Sequence, residues 1–270
     1  MYKKFQIKPD IKNKDLVKDI EGVDEFGKPF TQTVVMERPL TIFLNKQEIV
    51  TSMTLGDHPE WMAIGFLINQ GMISQKDNIK SVDVDWEAEI VVVRTSRETN
   101  YEEKIKRKIR TSGCAVGTMF GDVMENFDNI KLGQKSKFHR SWLVGLLKQI
   151  NTQPSLYLKA GAIHSCVLCD KEKPIVYVED IGRHNAIDKI TGWMWYNKID
   201  VTKMMLYTTG RLTSEMVIKT VQMKIPILIS RSGFTAAGVE LAKKSGLTLI
   251  GRAKGKRFIA LSGFHRIVFD

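Results

Sequence analysis

Residues 179–184 form a corner whose side chains could bind a ligand or move a proton. Two acids, an arginine and a histidine surround one glycine in the order Glu-Asp-Ile-Gly-Arg-His. The apolar run before this corner predicts a strand, and the apolar spacing after it predicts a helix. Proteins of the α/β class place ligands where strands end and helices begin. Asp180, Arg183 and His184 are therefore candidate binding residues; the alternative is a surface ion-pair cluster at a helix start.

The thiol of Cys114 is a candidate nucleophile. Gly113 and Gly117 stand close on either side of it and give the backbone freedom and access that a core cysteine does not need. Nearby cations make a thiol lose its proton more readily, and the thiolate is the form that attacks sulfur or carbon. The preceding cations are Lys104, Lys106, Arg107, Lys108 and Arg110. The pattern predicts a reactive cysteine, with an inert cysteine in a turn as the alternative.

The other two cysteines form the pattern His164-x-Cys166-x-x-Cys169, which resembles part of a metal site. A closed zinc site needs a fourth ligand, and alternation along a strand would put the two thiols on opposite faces. We therefore predict small buried residues and no metal. A zinc deaminase would need a glutamate two residues after its first ligand and a later Pro-Cys-x-x-Cys. Two residues after His164 stands Cys166 rather than a glutamate, and no cysteine follows Cys169, which argues against this class.

Three further corners contain hydroxyls, glycines and arginines at predicted helix starts or turns. They are residues 208–215, 230–235 and 251–257, and the first contains Arg211. Such corners supply the backbone donors and bidentate charges that a phosphate group needs, although ordinary caps and turns use the same residues. We expect all three to line one side of a single sheet together with residues 180–184. This convergence indicates a site for a phosphorylated ligand.

The element pattern predicts an α/β protein with a small α+β subdomain at its N-terminus. After residue 157 strands and helices alternate, whereas the N-terminal part has strands around one helix at 61–70. A helix is expected near 119–127 and another at 141–150. Asp57 is expected to cap the helix at 61–70, residues 102–106 to form a further strand, and residues 1–28 to form a loose arm or an added strand. The polar stretch near 130–140 suggests domains at 1–135, including the Cys114 loop, and 136–270.

Composition limits the function classes. The formal net charge is +11, which favours anionic partners. No recognised nucleic-acid motif is present and the basic runs lack interleaved aromatics, so we expect no nucleic acid. No apolar run approaches the length of a membrane span and no secretory signal is evident. Three cysteines suit a reducing cytoplasm.

These residues resemble the FdhD/NarQ family, the accessory sulfurtransferases needed for formate dehydrogenase activity. The similarity runs from about Arg38 to Ile267. It rests on Gly65-Phe66-Leu67, Gly71-Met72-Ile73, Arg110-Thr111-x-Gly113-Cys114, Gly161-x-x-His164, the run from Glu179 to Lys189, Arg211 with Glu215, and the run from Gly246 to Gly251.

The resemblance implies that Cys114 accepts persulfide sulfur from a cysteine desulfurase. The sulfur then passes to the molybdenum bis(molybdopterin guanine dinucleotide) cofactor, which is destined for the catalytic subunit of formate dehydrogenase. GDP would be a partial mimic of this cargo. The resemblance places cofactor contacts on a short segment, to which the corners add Asp180, Arg183, His184 and Arg211. The segment comprises Arg252, Ala253, Lys254, Gly255, Lys256 and Arg257.

The resemblance also implies a homodimer and a cytidine-deaminase-like C-terminal domain, a three-layer α/β sheet with helices on both faces. One departure stands out, because Gly117 occupies the position where many members carry a second loop cysteine. A single persulfide at Cys114 suffices chemically, and Cys166 or Cys169 is a candidate substitute for the missing thiol. The alternative is a zinc-free, deaminase-like nucleotide-binding protein without sulfur transfer.

Overall fold

The computed structural model describes residues 3–74, 77–96 and 127–270, together with the backbone of 108–110 and 118–120. Its strands are β1 Val17–Val23, β2 Pro29–Val35, β3 Arg38–Leu44, β4 Gln47–Thr54, β5 Ile79–Asp85, β6 Ile90–Thr95, β7 Lys108–Arg110, β8 Thr118–Phe120, β9 Phe138–His139, β10 His164–Asp170, β11 Lys173–Asp180, β12 Met205–Thr208, β13 Ile227–Ser230, β14 Thr248–Lys254, β15 Arg257–Ser262 and β16 Ile267–Val268. Its helices are α1 Pro59–Asn69, α2 Arg140–Thr152, α3 Leu156–Ala160, α4 Arg183–Asn197, α5 Ser214–Gln222 and α6 Ala236–Ser245, with 3-10 turns at Lys14–Leu16 and Phe264–Arg266.

The C-terminal half is built on a six-stranded mixed sheet in the order β11-β10-β12-β13-β14-β15. The three central strands β12, β13 and β14 are parallel, while β10 runs against both of its neighbours and β15 runs against β14. Four strands, β11 to β14, therefore point the same way. Both faces of the inner strands are buried, so their sequences are short apolar runs. Such runs made these strands recognisable from the sequence.

Helices cover both faces of this sheet. The apolar faces of α4, α5 and α6 share one core cluster, and α2 contributes Leu143, Leu146, Leu147 and Ile150 to the cluster on the other face. The predicted three-layer arrangement is confirmed.

The N-terminal half contains a four-stranded sheet in the order β4-β3-β6-β5, and α1 packs on it. The helix α1 is buried around most of its circumference because it lies between this sheet and α4. The closest approach is at Gly65 and Gly192. A methyl group on Gly65 would lie 1.8 Å from the backbone oxygen of Asp188, and one on Gly192 would lie 2.0 Å from that of Trp61. The two halves are thus held backbone to backbone.

Two local predictions were wrong. Met119 and Phe120 belong to β8 rather than to a helix. Asp57 does not cap α1, because His58 occupies the cap position in a left-handed conformation and Pro59 follows at the first helical position. The predicted strand near 102–106 lies outside the described residues.

Candidate functional site

One edge of the six-stranded sheet collects every corner that the sequence singled out. The parallel-running strands end there at Asp180, Thr208, Ser230 and around residue 252, and β10 begins there at His164. The helices α4, α5 and α6 start at the same edge. The prediction that the corners line one side of one sheet is confirmed. We call this side the corner edge.

Backbone hydrogen bonds join neighbouring corners. The N–H of Leu212 donates to the Gly233 oxygen at 2.9 Å, and the N–H of Arg252 donates to the Ser232 oxygen at 2.8 Å. The Ser230 hydroxyl donates to the Gly210 oxygen at 2.6 Å. The corner edge is therefore a rigid surface rather than a set of independent loops.

Arginines from different corners converge on the glycines of this edge. The side chain of Arg183 packs over Gly210, where an added methyl group would lie 2.9 Å from two of its carbons. The guanidinium of Arg252 lies 3.9 Å from the point that a methyl group on Gly233 would occupy. The remaining arginines, Arg211 and Arg231, are exposed there. The corner edge thus places arginine guanidinium groups, which can donate two hydrogen bonds to one anionic group, beside the N-termini of helices. Both features favour the binding of an anionic ligand.

The backbone of Arg252 is strained, with φ of 52°. The pairing of β14 with β15 is irregular between Gly251 and Lys254, so Arg252 lies in a bulge. Left-handed geometry is costly for a residue with a side chain and tends to occur at functional sites. Here the bulge lets the Arg252 side chain lie above Gly233.

A neutral histidine and a glutamate meet beneath this edge, at the starts of α4 and α5. Nε2 of His184 lies 3.2 Å from Oε2 of Glu215, and both side chains are buried. Burial lowers the pKa of His184 to about 2, and the nearby cations Lys219 and Arg183 add to this shift. Nδ1 of His184 and the hydroxyl of Thr213 have no hydrogen-bond partner among the described residues. These buried groups would accept a bridging water or a ligand group.

His164 also lies at the corner edge, although the sequence indicated it only as a candidate metal ligand and as part of the Gly161-x-x-His164 motif. It starts β10, pairs directly with Asp180 and lies half-buried at the corner edge. Burial lowers its pKa, and the charges of Arg183 and Arg211 add to this effect. The available signal was its position at the start of the apolar run that precedes the strand leading into Asp180.

Asp180 lies under the corner edge rather than on it. Its carboxylate is fully buried and accepts hydrogen bonds from the Thr54 hydroxyl at 2.6 Å and the Asn185 amide at 2.9 Å. Lys189 Nζ lies 2.6 Å away and also contacts Asp57. With its oxygens occupied by protein donors, Asp180 fixes the corner and joins it to β4.

A second buried ion pair continues this framework along α4. Asp188 contacts Lys219 of α5 at 2.7 Å and accepts a hydrogen bond from Asn69 of α1 at 2.6 Å. Within the 179–189 run, Arg183 and His184 therefore face the corner edge. Four other residues of the run hold α4 against its neighbours, and these are Asp180, Asn185, Asp188 and Lys189.

The 252–257 segment forms the turn between β14 and β15. Gly255 provides the turn with φ of 59°, and the side chains of Arg252, Lys254, Lys256 and Arg257 are exposed. Ala253 differs, because its side chain is buried in the cluster shared with α2. It can contribute backbone but no side-chain contact at the surface.

Cys166 and Cys169 lie on opposite faces of the sheet and are fully buried, as predicted. Burial raises the pKa of Cys166 to about 12 and also raises that of Cys169. Full burial keeps both thiols from the protein surface, which argues against either as a substitute for the missing loop cysteine. Cys114 and Gly117 lie outside the described residues.

The described residues contain no group of three or more histidine, cysteine or acidic side chains that could hold a metal ion. Within these same residues, no helix is both long and apolar enough to cross a membrane.

Comparison with known proteins agrees with this architecture. The sulfur carrier protein FdhD of Wolinella succinogenes is 32% identical over 228 residues, covering 83% of this chain and 78% of that protein. The protein of the same name from Bacillus subtilis is 29% identical over 226 residues, covering 83% and 86%. A crystal structure of a formate dehydrogenase accessory protein from Desulfotalea psychrophila superposes with a TM-score of 0.74 at 25% identity, over 93% of this chain and 98% of that chain.

The FdhD/NarQ family matches residues 35–268, which include the four-stranded and six-stranded sheets and the whole corner edge. The chain belongs to the FdhD/NarQ family.

Proposed function

We propose that this chain carries sulfur as a persulfide on Cys114 and delivers it to the molybdenum bis(molybdopterin guanine dinucleotide) cofactor for formate dehydrogenase. The relatives' names support sulfur carriage and an accessory role for formate dehydrogenase. The observation that carries the cofactor part of the proposal is the corner edge, with four arginines around three helix starts. A cargo with several phosphates fits such a surface.

The sulfur steps need one thiolate and no external oxidant. The Cys114 thiolate attacks the terminal sulfur of a persulfide on a cysteine desulfurase, the donor S–S bond breaks, and the donor leaves as a thiolate. An acceptor atom at the cofactor would then supply the electron pair for a new bond to the terminal sulfur, the S–S bond at Cys114 would break, and Cys114 would leave as the thiolate. Each step moves one zero-valent sulfur atom, so a second loop thiol is unnecessary.

The residues of the corner edge would hold the cargo during this exchange. Arg183, Arg211 and Arg252 would bind phosphate oxygens, together with the exposed cations of the 254–257 turn. Asp180 and Lys189 would keep α4 in place through their buried contacts. The donor would be a cysteine desulfurase and the recipient a formate dehydrogenase catalytic subunit, in the cytoplasm, where thiols stay reduced.

The decisive experiment is intact-mass spectrometry after incubation with a cysteine desulfurase and cysteine. We expect one added sulfur atom on the wild-type protein and none on Cys114→Ser, because only the thiolate can carry it. Cys166→Ser is the matched control and should load normally, since its thiol is buried. Normal loading of Cys114→Ser would refute the assignment.

The competing function is a nucleotide-binding protein without sulfur transfer, which the same corner edge would serve. Calorimetry with GDP separates the two functions when combined with the mass spectra. Binding of GDP without any sulfur loading of the wild-type protein would favour this alternative.

A further inference from the structure

A cavity of about 350 Å³ lies at the end of α6, away from the corner edge where that helix begins. Its floor is formed by the apolar side chains of Phe127, Ile130 and Leu132. Phe127 and Leu132 are buried in the core cluster beneath α6, and Ile130 packs against the same cluster. Protein interiors leave few spaces larger than a water molecule, and this volume is in the range of small-molecule sites. We call it the α6 cavity.

The mouth of the α6 cavity carries charged side chains. Asp128, Lys131 and Lys244 line the cavity and are exposed, so they lie at its opening. Lys244 Nζ lies 2.6 Å from Oδ1 of Asp128, and these two charges compensate each other. Among the residues that the structure describes, Lys131 has no carboxylate partner. The opening therefore carries one uncompensated positive charge above an apolar floor.

Arg266 holds the two walls of the α6 cavity in place, and its side chain is fully buried. Its guanidinium donates two hydrogen bonds to the Gly133 oxygen, at 3.1 and 3.0 Å, and one to the Gly246 oxygen at 2.6 Å. Gly133 lies within the 127–134 wall, and Gly246 directly follows Ser245 of the other wall. A buried charge needs such partners, and here both walls supply them. The α6 cavity is thus pre-formed, which lowers the cost of binding a ligand.

We propose that the α6 cavity is a second binding site, which takes a small carboxylate with an apolar body. The apolar body would lie on the floor of Phe127, Ile130 and Leu132, where its removal from water supplies affinity. The carboxylate would accept a charge-assisted hydrogen bond from the Lys131 ammonium at the mouth. A cationic ligand would be repelled by Lys131, because Asp128 is already paired with Lys244. A purely polar anion such as phosphate would gain nothing from the floor.

The α6 cavity is separate from the corner edge. The ten residues of α6 place its two ends about 15 Å apart, because an α-helix rises about 1.5 Å per residue. A ligand in the α6 cavity would therefore leave the arginines of the corner edge free. This inference is independent of the proposed sulfur chemistry, and its tests use neither a sulfur donor nor the molybdenum cofactor.

The first test is calorimetry with cinnamate and with cinnamyl alcohol, which has the same apolar body and no charge. The wild-type protein is expected to bind one cinnamate per chain and to bind the alcohol more weakly. Lys131→Ala should weaken cinnamate binding about three- to tenfold, as for a charge contact at a partly open site. Lys243→Ala is the matched control, because this exposed lysine of α6 does not line the cavity. Equal affinity for acid and alcohol, equal effects of the two variants, or no binding at millimolar cinnamate overturns the proposal.

The second test locates the bound cinnamate. Ser245→Phe places a ring in the α6 cavity and should abolish binding; the lost hydroxyl donates only to backbone oxygens of its own helix, such as that of Leu241 at 3.0 Å. Urea unfolding checks that this variant is folded. In the wild-type protein, cinnamate should slow amide hydrogen exchange in residues 127–134, and saturating GDP should leave its affinity unchanged. This exchange measurement decides the matter if Ser245→Phe does not fold. Displacement of cinnamate by GDP, undiminished binding to folded Ser245→Phe, or unchanged exchange in residues 127–134 refutes the assignment.

Discussion

At the scale of single residues, the run from Glu179 to Lys189 divides into side chains that face the corner edge and side chains that support it. Arg183 and His184 reach the corner edge. Asp180 and Lys189 are buried, and their partners on β4 and at Asp57 lie more than a hundred residues away in sequence. Removing one member of such a pair leaves an uncompensated buried charge, which costs several kcal/mol. The sequence alone could not assign these roles, since it shows the charged residues but not their distant partners.

Neutralising Arg252 and Arg257 should weaken the binding of GDP. Each lost charge-assisted contact costs about 1.5–3 kcal/mol, so Arg252→Ala is expected to reduce affinity about tenfold or more, and the double variant further. Isothermal titration calorimetry measures this directly, and the salt dependence of the double variant should be shallower. Lys148→Ala removes an exposed charge from α2 and serves as control. Unchanged GDP affinity in the double variant would exclude the 252–257 turn as the phosphate site.

At the scale of elements, the decisive contact is the crossing of α1 and α4. Both helices were recognised from their apolar spacing, but the spacing did not show that their backbones touch. The backbones touch because Gly65 and Gly192 have no side chains at the crossing. In the sequence these two look like ordinary glycines inside helices, each with a helix-propensity cost of about 1 kcal/mol. Close packing offsets that cost here. Sequence reasoning likewise missed the left-handed cap at His58, because Asp57 is the more usual cap residue.

Gly192→Ala should destabilise the protein strongly. Its new methyl group would lie 2.0 Å from the backbone oxygen of Trp61, so α1 and α4 must separate. We expect a loss of at least about 3 kcal/mol, beyond the usual cost of overpacking, measured by urea unfolding. Gly145→Ala on α2 is the matched control, because its methyl group meets no described atom closer than 3.8 Å. That variant should be neutral or slightly stabilising. Equal stabilities of the two variants would contradict the close crossing.

At the scale of the whole molecule, the three-layer C-terminal domain was predictable and the burial of charge was not. The sequences of β12 and β13 are short apolar runs, because both faces of these strands are buried, and such runs predict strands in the interior of a sheet. Residues 1–28 were expected only as a loose arm or an added strand, since their polar, mixed-charge composition does not show that β1 pairs with β2. The sequence drew attention to His164 because of the two nearby cysteines. In the structure its notable feature is its position at the corner edge, where β10 begins.

Stability should fall on acidification, because several histidines are neutral in the folded protein. Burial lowers the pKa of His184 to about 2, and it also lowers the pKa of His58 and of His164. In the unfolded chain these groups bind protons below about pH 6.5, so the unfolded state gains protons that the folded state does not. The free energy of unfolding therefore decreases as the pH falls below that value. For one histidine that is neutral in the folded protein and protonated in the unfolded chain, the free energy of unfolding decreases by about 1.4 kcal/mol per pH unit.

Replacing His184 tests this at one position. Between pH 7.5 and pH 5.5, urea unfolding of His184→Gln should show a smaller loss of stability than the wild-type protein, by about 1.4 kcal/mol, since one proton no longer distinguishes the two states. His265→Gln alters an exposed ring and should change the pH dependence much less. Parallel curves for wild type and His184→Gln would mean that the ring is charged in the folded protein. The interpretation of His184 and Glu215 as a neutral histidine beside a carboxylate would then fail.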